Sequence, residues 1–370
     1  MEPFFRLLFF ASDYNIGLSN TLSEQARSIN KISHFKLLCV AGEREQEPGL
    51  SEKYNELLIS LVRIPGLDKH RKFFHISNLV RRIILDESIQ VVHIHNNWQL
   101  AIVSYIRLIT SHHFFIVYSL HGYRHNRKTR SLLARPIIGA ALHLFADLVF
   151  AGSTPLKRAI PFISSKCHLL IQGVEENLFH FEPHEPALVH HKMIFAAQFR
   201  KGKNHQILIR ALINYVQITG NRKITCYLPG EGPLKQTMIE LVNVNNLGDI
   251  VKFPGQLPRK EILELYKICD LAVIPSNNET FGYCIAEPFV AGLCTISRPT
   301  GIAKDIIVDR ETGILFNDEH DLCKVFLELF PNPGKISQIG QNGYYLRETF
   351  RWDRINKDYQ EYIMDLIQTS

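Results

Sequence analysis

The sequence predicts two α/β domains, each a parallel sheet doubly wound with helices, and three observations carry that expectation. At 370 residues the chain is more than double the roughly 150 residues expected of one domain. Short β-rich apolar runs alternate with longer amphipathic segments, the pattern of βαβ units. Several short runs, Leu271-Ala-Val-Ile-Pro275 among them, are apolar on both faces, as strands must be when helices cover both sides of their sheet. With 46% hydrophobic and 21% charged residues, the composition is that of a globular chain and argues against disorder.

In chain order, strands are expected at 6–11, 35–41, 91–95, 115–120, 148–151 and 168–171, then at 193–197, 224–228, 251–253, 271–275, 295–297 and 314–316. Helical spacing fills most of the gaps, at 21–32, 76–86, 206–215, 234–244, 260–266 and 285–291. The segment 352–367 sets Ile355, Tyr359, Tyr362, Ile363 and Leu366 on one helical face. The polar stretch 175–191, with Pro183 and Pro186, is the expected domain boundary. Ligands in such sheets bind beyond the carboxyl ends of the strands.

No apolar run reaches the roughly 20 residues of a bilayer span. The nearest, 134–149, is interrupted by Arg135, His143 and Asp147. The first run, Phe4 to Ala11, lacks a basic flank and a small-residue cleavage site, so a signal peptide is not expected. Seven cysteines with no C-x-x-C pair suit a reducing, cytoplasmic setting better than a disulfide framework or a zinc site. The net charge of +6 is uneven, with twelve Lys/Arg and three Asp/Glu between Arg63 and Arg135. That stretch is either a solvated basic surface or one for anionic lipid or phosphate. No nucleic-acid partner is expected, since the binding signatures are absent.

Two constellations carry chemistry. The first, Ser276-Asn-Asn-Glu-Thr-Phe-Gly-Tyr-Cys-Ile-Ala-Glu287-Pro288, follows a strand and leads into a helix. Gly282 lets the backbone approach a ligand, and Pro288 is expected in the helix's first turn. The amides of Phe281 to Cys284 would favour an anion. Glu279 and Glu287 beside an anion site make sense as acceptors for vicinal hydroxyls of a sugar or ribose. The second, Gln198-Phe-Arg200-Lys201-Gly-Lys203-Asn204, offers cations at a strand end that can neutralise a diphosphate. No Asp-x-Asp pair offers Mg²⁺ a site, so metal-independent diphosphate binding is expected.

With these motifs in order, the second half resembles the retaining GT-B glycosyltransferases of family 4 (glycosyl transferases group 1, polysaccharide-assembly type). Residues 195–212 are similar to its Gly-Arg…Lys-Gly/Asn segment, Leu228-Pro-Gly-Glu-Gly-Pro233 to its Gly-x-Gly-Pro turn, and Glu279-x(7)-Glu287 to its paired glutamates. The first half resembles it more weakly, through Gly17-Leu-Ser-Asn, Val91-Val-His-Ile-His95, Val117-Tyr-Ser-Leu-His121 and Phe350-Arg-Trp-Asp353. The resemblance implies two Rossmann-like domains facing a cleft, 1–178 on the acceptor side and 190–350 on the nucleotide-sugar side, with 353–370 crossing back to the first. It implies a nucleoside-diphosphate sugar donor (UDP or GDP) and transfer, with retention, to a saccharide or lipid-linked saccharide in surface polysaccharide synthesis.

The resemblance also implies residue roles. Glu287 would bind the ribose, and Glu279 would face the donor sugar with the Phe281 and Gly282 backbone beside it. Arg200 and Lys203 would hold the diphosphate, His121 would lie beside the reacting sugar, and Gly17 near the phosphates. Here Ala197-Gln198 stands for the usual Gly-Arg, so Arg200 competes with Lys201 for its role. Asn96 and Asn97 could touch an acceptor or turn the chain. His93 and His95 share a strand face, as a metal pair or as buried side chains, and Ser153 reads as a helix cap. The basic runs 71–84 and 123–130 imply peripheral contact with the inner face of an anionic membrane. Competing readings are an inactive nucleotide-sugar-binding module and an epimerase of the same fold. A dinucleotide oxidoreductase would need G-x-G-x-x-G, which is absent.

Overall fold

The structure, a computed structural model, describes residues 5–10, 25, 29, 35–41, 60–64, 70–121, 131–183 and 190–369. Gly17 and the basic run 123–130 lie outside the described residues. The chain divides into two compact units, Met1–Gly173 with Trp352–Ser370, and Val174–Arg351.

The first unit holds β1 (Phe5–Phe10), β2 (Phe35–Ala41), β3 (Ser60–Arg63), β4 (Val91–Ile94), β5 (Phe115–Leu120), β6 (Leu148–Ala151) and β7 (Cys167–Leu169). All pair in parallel, in the order β3-β2-β1-β4-β5-β6-β7. One face is covered by α1 (Phe73–Asp86), α2 (Asn97–Ile109), α3 (Ser131–Phe145) and α4 (Thr154–Arg158), through Ile76, Val80, Val103, Ile106, Leu142 and Leu156. On the other face the C-terminal helix, Trp352–Gln368, buries Ile355, Tyr359 and Ile363 against Phe9, Val91 and Phe150. This is the face its helical spacing picks out.

The second unit holds β8 (His191–Ile194), β9 (Ile224–Tyr227), β10 (Val251–Lys252), β11 (Leu271–Ile274), β12 (Cys294–Ser297) and β13 (Ile314–Leu315), all parallel, in the order β10-β9-β8-β11-β12-β13. Its helices are α5 (His205–Thr219), α6 (Lys235–Val244), α7 (Arg259–Ile268), α8 (Tyr283–Val290), α9 (Ala303–Ile306), α10 (Glu319–Leu329) and α11 (Pro333–Tyr344).

Two expectations need correction. The four-residue edge strand β3 is too short and too polar at its ends to stand out in the sequence. Helix α8 begins earlier than expected, at Tyr283, so Pro288 and Glu287 sit in its second turn. The cause is Gly282, whose φ of 102° ends the extended chain and starts the helix at once. The segment nearest to a span in the sequence is α3 and β6, and among the described residues no helix is long and apolar enough to cross a membrane.

Candidate functional site

In the second sheet the strand order reverses between the neighbours β8 and β11, and a crevice opens at such a switch point. The two sequence constellations leave the sheet there. After β8 the chain makes a 3-10 turn, Lys201–Lys203, and Asn204 in the left-handed region turns it into α5. The Gly202 carbonyl accepts the Asn277 N–H at 2.9 Å, which ties this turn to the loop after β11. That register sets Lys203 Nζ 2.5 Å from Glu279 Oε1, with the side chains only 14% and 11% exposed.

Glu279 is held further by its N–H on Thr300 Oγ1 at 2.7 Å and by Cys284 Sγ at 3.6 Å. Burial alone would lower the Lys203 pKa, but the charge and hydrogen bond of Glu279 oppose it, and Lys203 is held above its ordinary value. Burial, with Glu279 behind it, pushes the Cys284 thiol up, so it stays protonated. Arg200 and Lys201 are exposed beside the pair.

Gly282 keeps this corner tight. A Cβ there would lie 2.8 Å from Ile285 Cδ1 and 3.2 Å from Glu279 Cβ. Its carbonyl takes the first helical bonds, from the Ile285 and Ala286 amides. The amides of Tyr283 and Cys284 come ahead of them, in the N-terminal turn. The buried Phe281 gives its carbonyl to the Ile302 N–H at 2.7 Å.

One helical turn and more beyond, Glu287 Oε2 accepts Arg259 Nη1 at 2.8 Å and the Tyr266 hydroxyl at 3.1 Å. Arg259 Nε reaches Glu175 Oε2 at 2.7 Å. Burial and then the Glu287 charge push the Tyr266 hydroxyl well up, so it remains a donor. Burial disfavours the Arg259 charge, and Glu287 outweighs it. This network joins residues far apart in the chain, and nothing local marks it beyond the counter-charge a half-buried Glu287 requires.

A cavity of about 230 Å³ lies where the loops after β8, β9 and β10 meet, lined by Gln198, Gly230, Glu231, Gln256, Leu257 and Ile262. Gly230, at φ 146°, permits the approach, because a Cβ there would sit 2.1 Å from the Ala197 carbonyl oxygen. Ile262 and Tyr266 are one turn apart on α7, so cavity and Glu287 flank the same helix face.

In the first sheet the order reverses between β1 and β4. Asn96 caps α2 by accepting the Gln99 N–H at 2.9 Å, and Asn97 Oδ1 accepts the Tyr118 hydroxyl at 2.9 Å. Both therefore have structural partners. Ser153 caps α4, as its position suggests. His121, at the end of β5, lies with Nε2 2.9 Å from His95 Nδ1. His93 bonds Ser119 Oγ at 2.8 Å and the Tyr359 hydroxyl at 3.0 Å.

Burial lowers all three histidines, His93 to about 3, helped by His121, His121 to about 4, and His95 well below its ordinary value. Among the described residues the buried His95 Nε2 has no hydrogen-bond partner. A bare lone pair there costs less than an orphaned N–H. His95 therefore donates from Nδ1, and neutral His121 carries its proton on Nδ1. The alternating pair His93 and His95 is thus engaged by hydrogen bonds, and among the described residues no group of three metal-ligating side chains occurs.

Residues 179–345 match the family model Glycosyl transferases group 1. An uncharacterized glycosyltransferase of Methanocaldococcus jannaschii is 24% identical over 326 residues, 84% of this chain and 86% of its own length. Alpha-monoglucosyldiacylglycerol synthase of Acholeplasma laidlawii is 23% identical over 174 residues, 47% of this chain and 43% of its own. Among solved structures, Anabaena HepE in complex with UDP superposes with a TM-score of 0.79 at 17% identity, over 97% of this chain and 100% of that one. That likeness shows the fold, two parallel-sheet Rossmann-like domains of the kind found in GT-B glycosyltransferases.

Proposed function

We propose, from the premise that this chain is a transferase carrying a group 1 glycosyltransferase domain at residues 179–345, that it moves a sugar from a nucleoside diphosphate to a hydroxyl with retention at the anomeric carbon. The observation that carries the reading is the half-buried Lys203–Glu279 pair at the switch point of the second sheet. An ammonium fixed there has two more N–H donors for a diphosphate, and a carboxylate beside it can take sugar hydroxyls.

Arg200 or Lys201 adds the second cation, and together they balance the charge that grows on the leaving diphosphate. The backbone of Phe281 and Gly282 lines the same corner. Glu287 Oε1 accepts the ribose hydroxyls while Arg259 and Tyr266 hold Oε2, and the 230 Å³ cavity takes the base. Neutral His121 offers Nδ1–H to the reacting sugar, and Gly17 serves the phosphates. The departing phosphate accepts the acceptor's proton on the face it leaves, so no carboxylate pair acts as nucleophile and acid.

UDP is the first donor nucleotide to test, because HepE was solved with UDP and with UDP-glucose; GDP is the second. The acceptor is a saccharide or lipid-linked saccharide of a surface polysaccharide. A thermal-shift screen of UDP, GDP, ADP and CMP tests the reading, with Lys203→Ala and Glu287→Ala beside wild type. A shift by one nucleotide, weakened in both variants, is expected. Absence of any shift in wild type overturns the reading. Nucleotide binding with neither transfer nor donor hydrolysis would instead favour an inactive binding module.

A further inference from the structure

Residues 70–174 hold thirteen Lys/Arg against three Asp/Glu, while the whole chain carries only +6; the rest of the chain is net negative. Helices α1 to α4 come from this stretch and pack on one face of the first sheet. They form a continuous layer. The rings of Phe74 and Tyr105 join α1 to α2, with centroids 5.7 Å apart, and α2 also packs on α3. Gly139 of α3 lies so close to the turn after α4 that a Cβ there would be 2.2 Å from the Pro161 carbonyl oxygen.

The outer side of this layer is apolar and basic. Phe74, Leu108, Ile137, Leu144 and Phe162 are 62–75% exposed. Arg71, Lys72, Arg82 and Arg158 are exposed on the same helices or next to them. Of the three acids, Asp86 and Glu87 end α1, and Asp147 is paired with Arg107 at 2.6 Å. Single exposed apolar side chains are ordinary. In the second unit two of them follow acids on their own helices, Val244 four residues after Glu240 and Ile268 four after Glu264, while Ile218 on α5 has none. Within α1 to α4 the one acid is Asp86, the last residue of α1.

Phe162 adds an independent sign. Its φ of 69° puts a bulky aromatic in the left-handed region, at a cost on the order of 1–3 kcal/mol. Burial of the ring does not offset that cost, because the side chain faces solvent.

We propose that this face seats on an anionic lipid bilayer, with Phe74, Leu108, Ile137, Leu144 and Phe162 entering the headgroup region and the four cations meeting lipid phosphates. The binding does not depend on the transferase reading. If both hold, a lipid-linked acceptor is delivered to the unit that carries His121.

Sedimentation with vesicles of phosphatidylcholine alone, or with about 30% phosphatidylglycerol, tests the proposal at ~0.1 M salt. Binding to the anionic vesicles only is expected. Partitioning should fall about ten-fold or more in Leu108→Ser/Leu144→Ser/Phe162→Ser, at unchanged charge, and in Arg71→Glu/Arg82→Glu/Arg158→Glu. The thermal shift by UDP should persist in both, which separates this outcome from failure of the donor site. Phe162→Trp, a near-native change, should add an indole emission that blue-shifts on anionic vesicles. Equal binding to both vesicle types, no binding, binding indifferent to both triple variants, or no blue shift from the introduced indole overturns the proposal. So does a wild-type dimer that the serine variant converts to monomer, which would make the face a protein interface.

Discussion

At the same place in the fold, the carboxyl end of a parallel sheet at its order reversal, the two units bury opposite electrostatics. The first holds His93, His95 and His121 neutral, with His95 bonded to His121, and His93 to Ser119 and Tyr359. The second holds Lys203 against Glu279, and Arg259 against Glu287, as charged pairs. Burial acts on both in the same direction, against charge. What differs is the counter-charge: among the described residues no carboxylate bonds the three imidazoles, whereas a carboxylate reaches each cation in the second unit. Pairing, rather than depth, decides which buried groups keep their charge.

Acid should break that comparison most strongly. Three imidazoles whose folded-state pKa lies below 6.5 bind fewer protons folded than unfolded. Their contribution to stability is complete above pH 6.5 and is lost as pH falls toward about 4. The slope approaches three protons, or ~4 kcal/mol per pH unit. Among the described residues of the second unit only His205 is depressed similarly, to about 4, by burial and by Lys203. Trp98 and Trp352, the chain's two tryptophans, both lie in the first unit. Urea titrations read by their fluorescence should lose stability steeply on acidification, and His93→Gln should flatten that dependence. A flat profile between pH 6 and about 4.5 would contradict the neutral assignment.

Next in size is the charged pair. Lys203→Ala removes the cation and leaves Glu279 buried without it, and kcat/KM is expected to fall about 10²–10³-fold. Glu279→Gln should spare nucleotide binding and lower kcat, since its proposed contact is with the sugar. Equal losses of UDP affinity in both variants would mean that the two residues act only as a structural pair.

A smaller effect is expected at the second charged pair. Arg259→Ala frees Glu287 from one partner while Tyr266 still donates to it, so UDP should bind roughly ten-fold more weakly with kcat little changed. Isothermal titration and initial rates together check this. A drop in kcat with unchanged affinity would move Glu287 from the ribose to the reacting end.

How much of this is legible along the chain follows from the range of each signal. Strand and helix periods are local, so twelve strands and the C-terminal helix's buried face, Ile355, Tyr359 and Ile363, can be read directly. Lys203 and Glu279 stand out because each follows a strand, but their contact depends on the order reversal between β8 and β11 and on the Gly202–Asn277 bond. Helical spacing puts the start of α8 at Ile285, whereas a left-handed Gly282 nucleates the helix two residues earlier. Arg259 and Tyr266 carry no local mark at all, since only the packing of α7 brings them to Glu287.

The smallest effect tests how the neutral cluster is anchored. Tyr359 comes from the C-terminal helix, more than 260 residues from His93, and its ring stacks on that imidazole with centroids 5.5 Å apart. Burial pushes its hydroxyl up, so the O–H stays protonated. His93 can receive that proton at Nδ1 and donate from Nε2 to Ser119, which fixes one tautomer without any charge. Tyr359→Phe keeps the stack and removes only the hydroxyl. The loss should be about 1 kcal/mol of stability, the ordinary worth of one buried hydrogen bond, with UDP affinity little changed because Lys203, Glu279 and Glu287, the side chains proposed to hold the donor, lie in the other unit. Tyr359→Ala removes the packing as well and should cost ~3–5 kcal/mol. If the phenylalanine variant were as damaging as the alanine one, the hydroxyl would be holding far more than a neutral tautomer, and His93 would have to be charged.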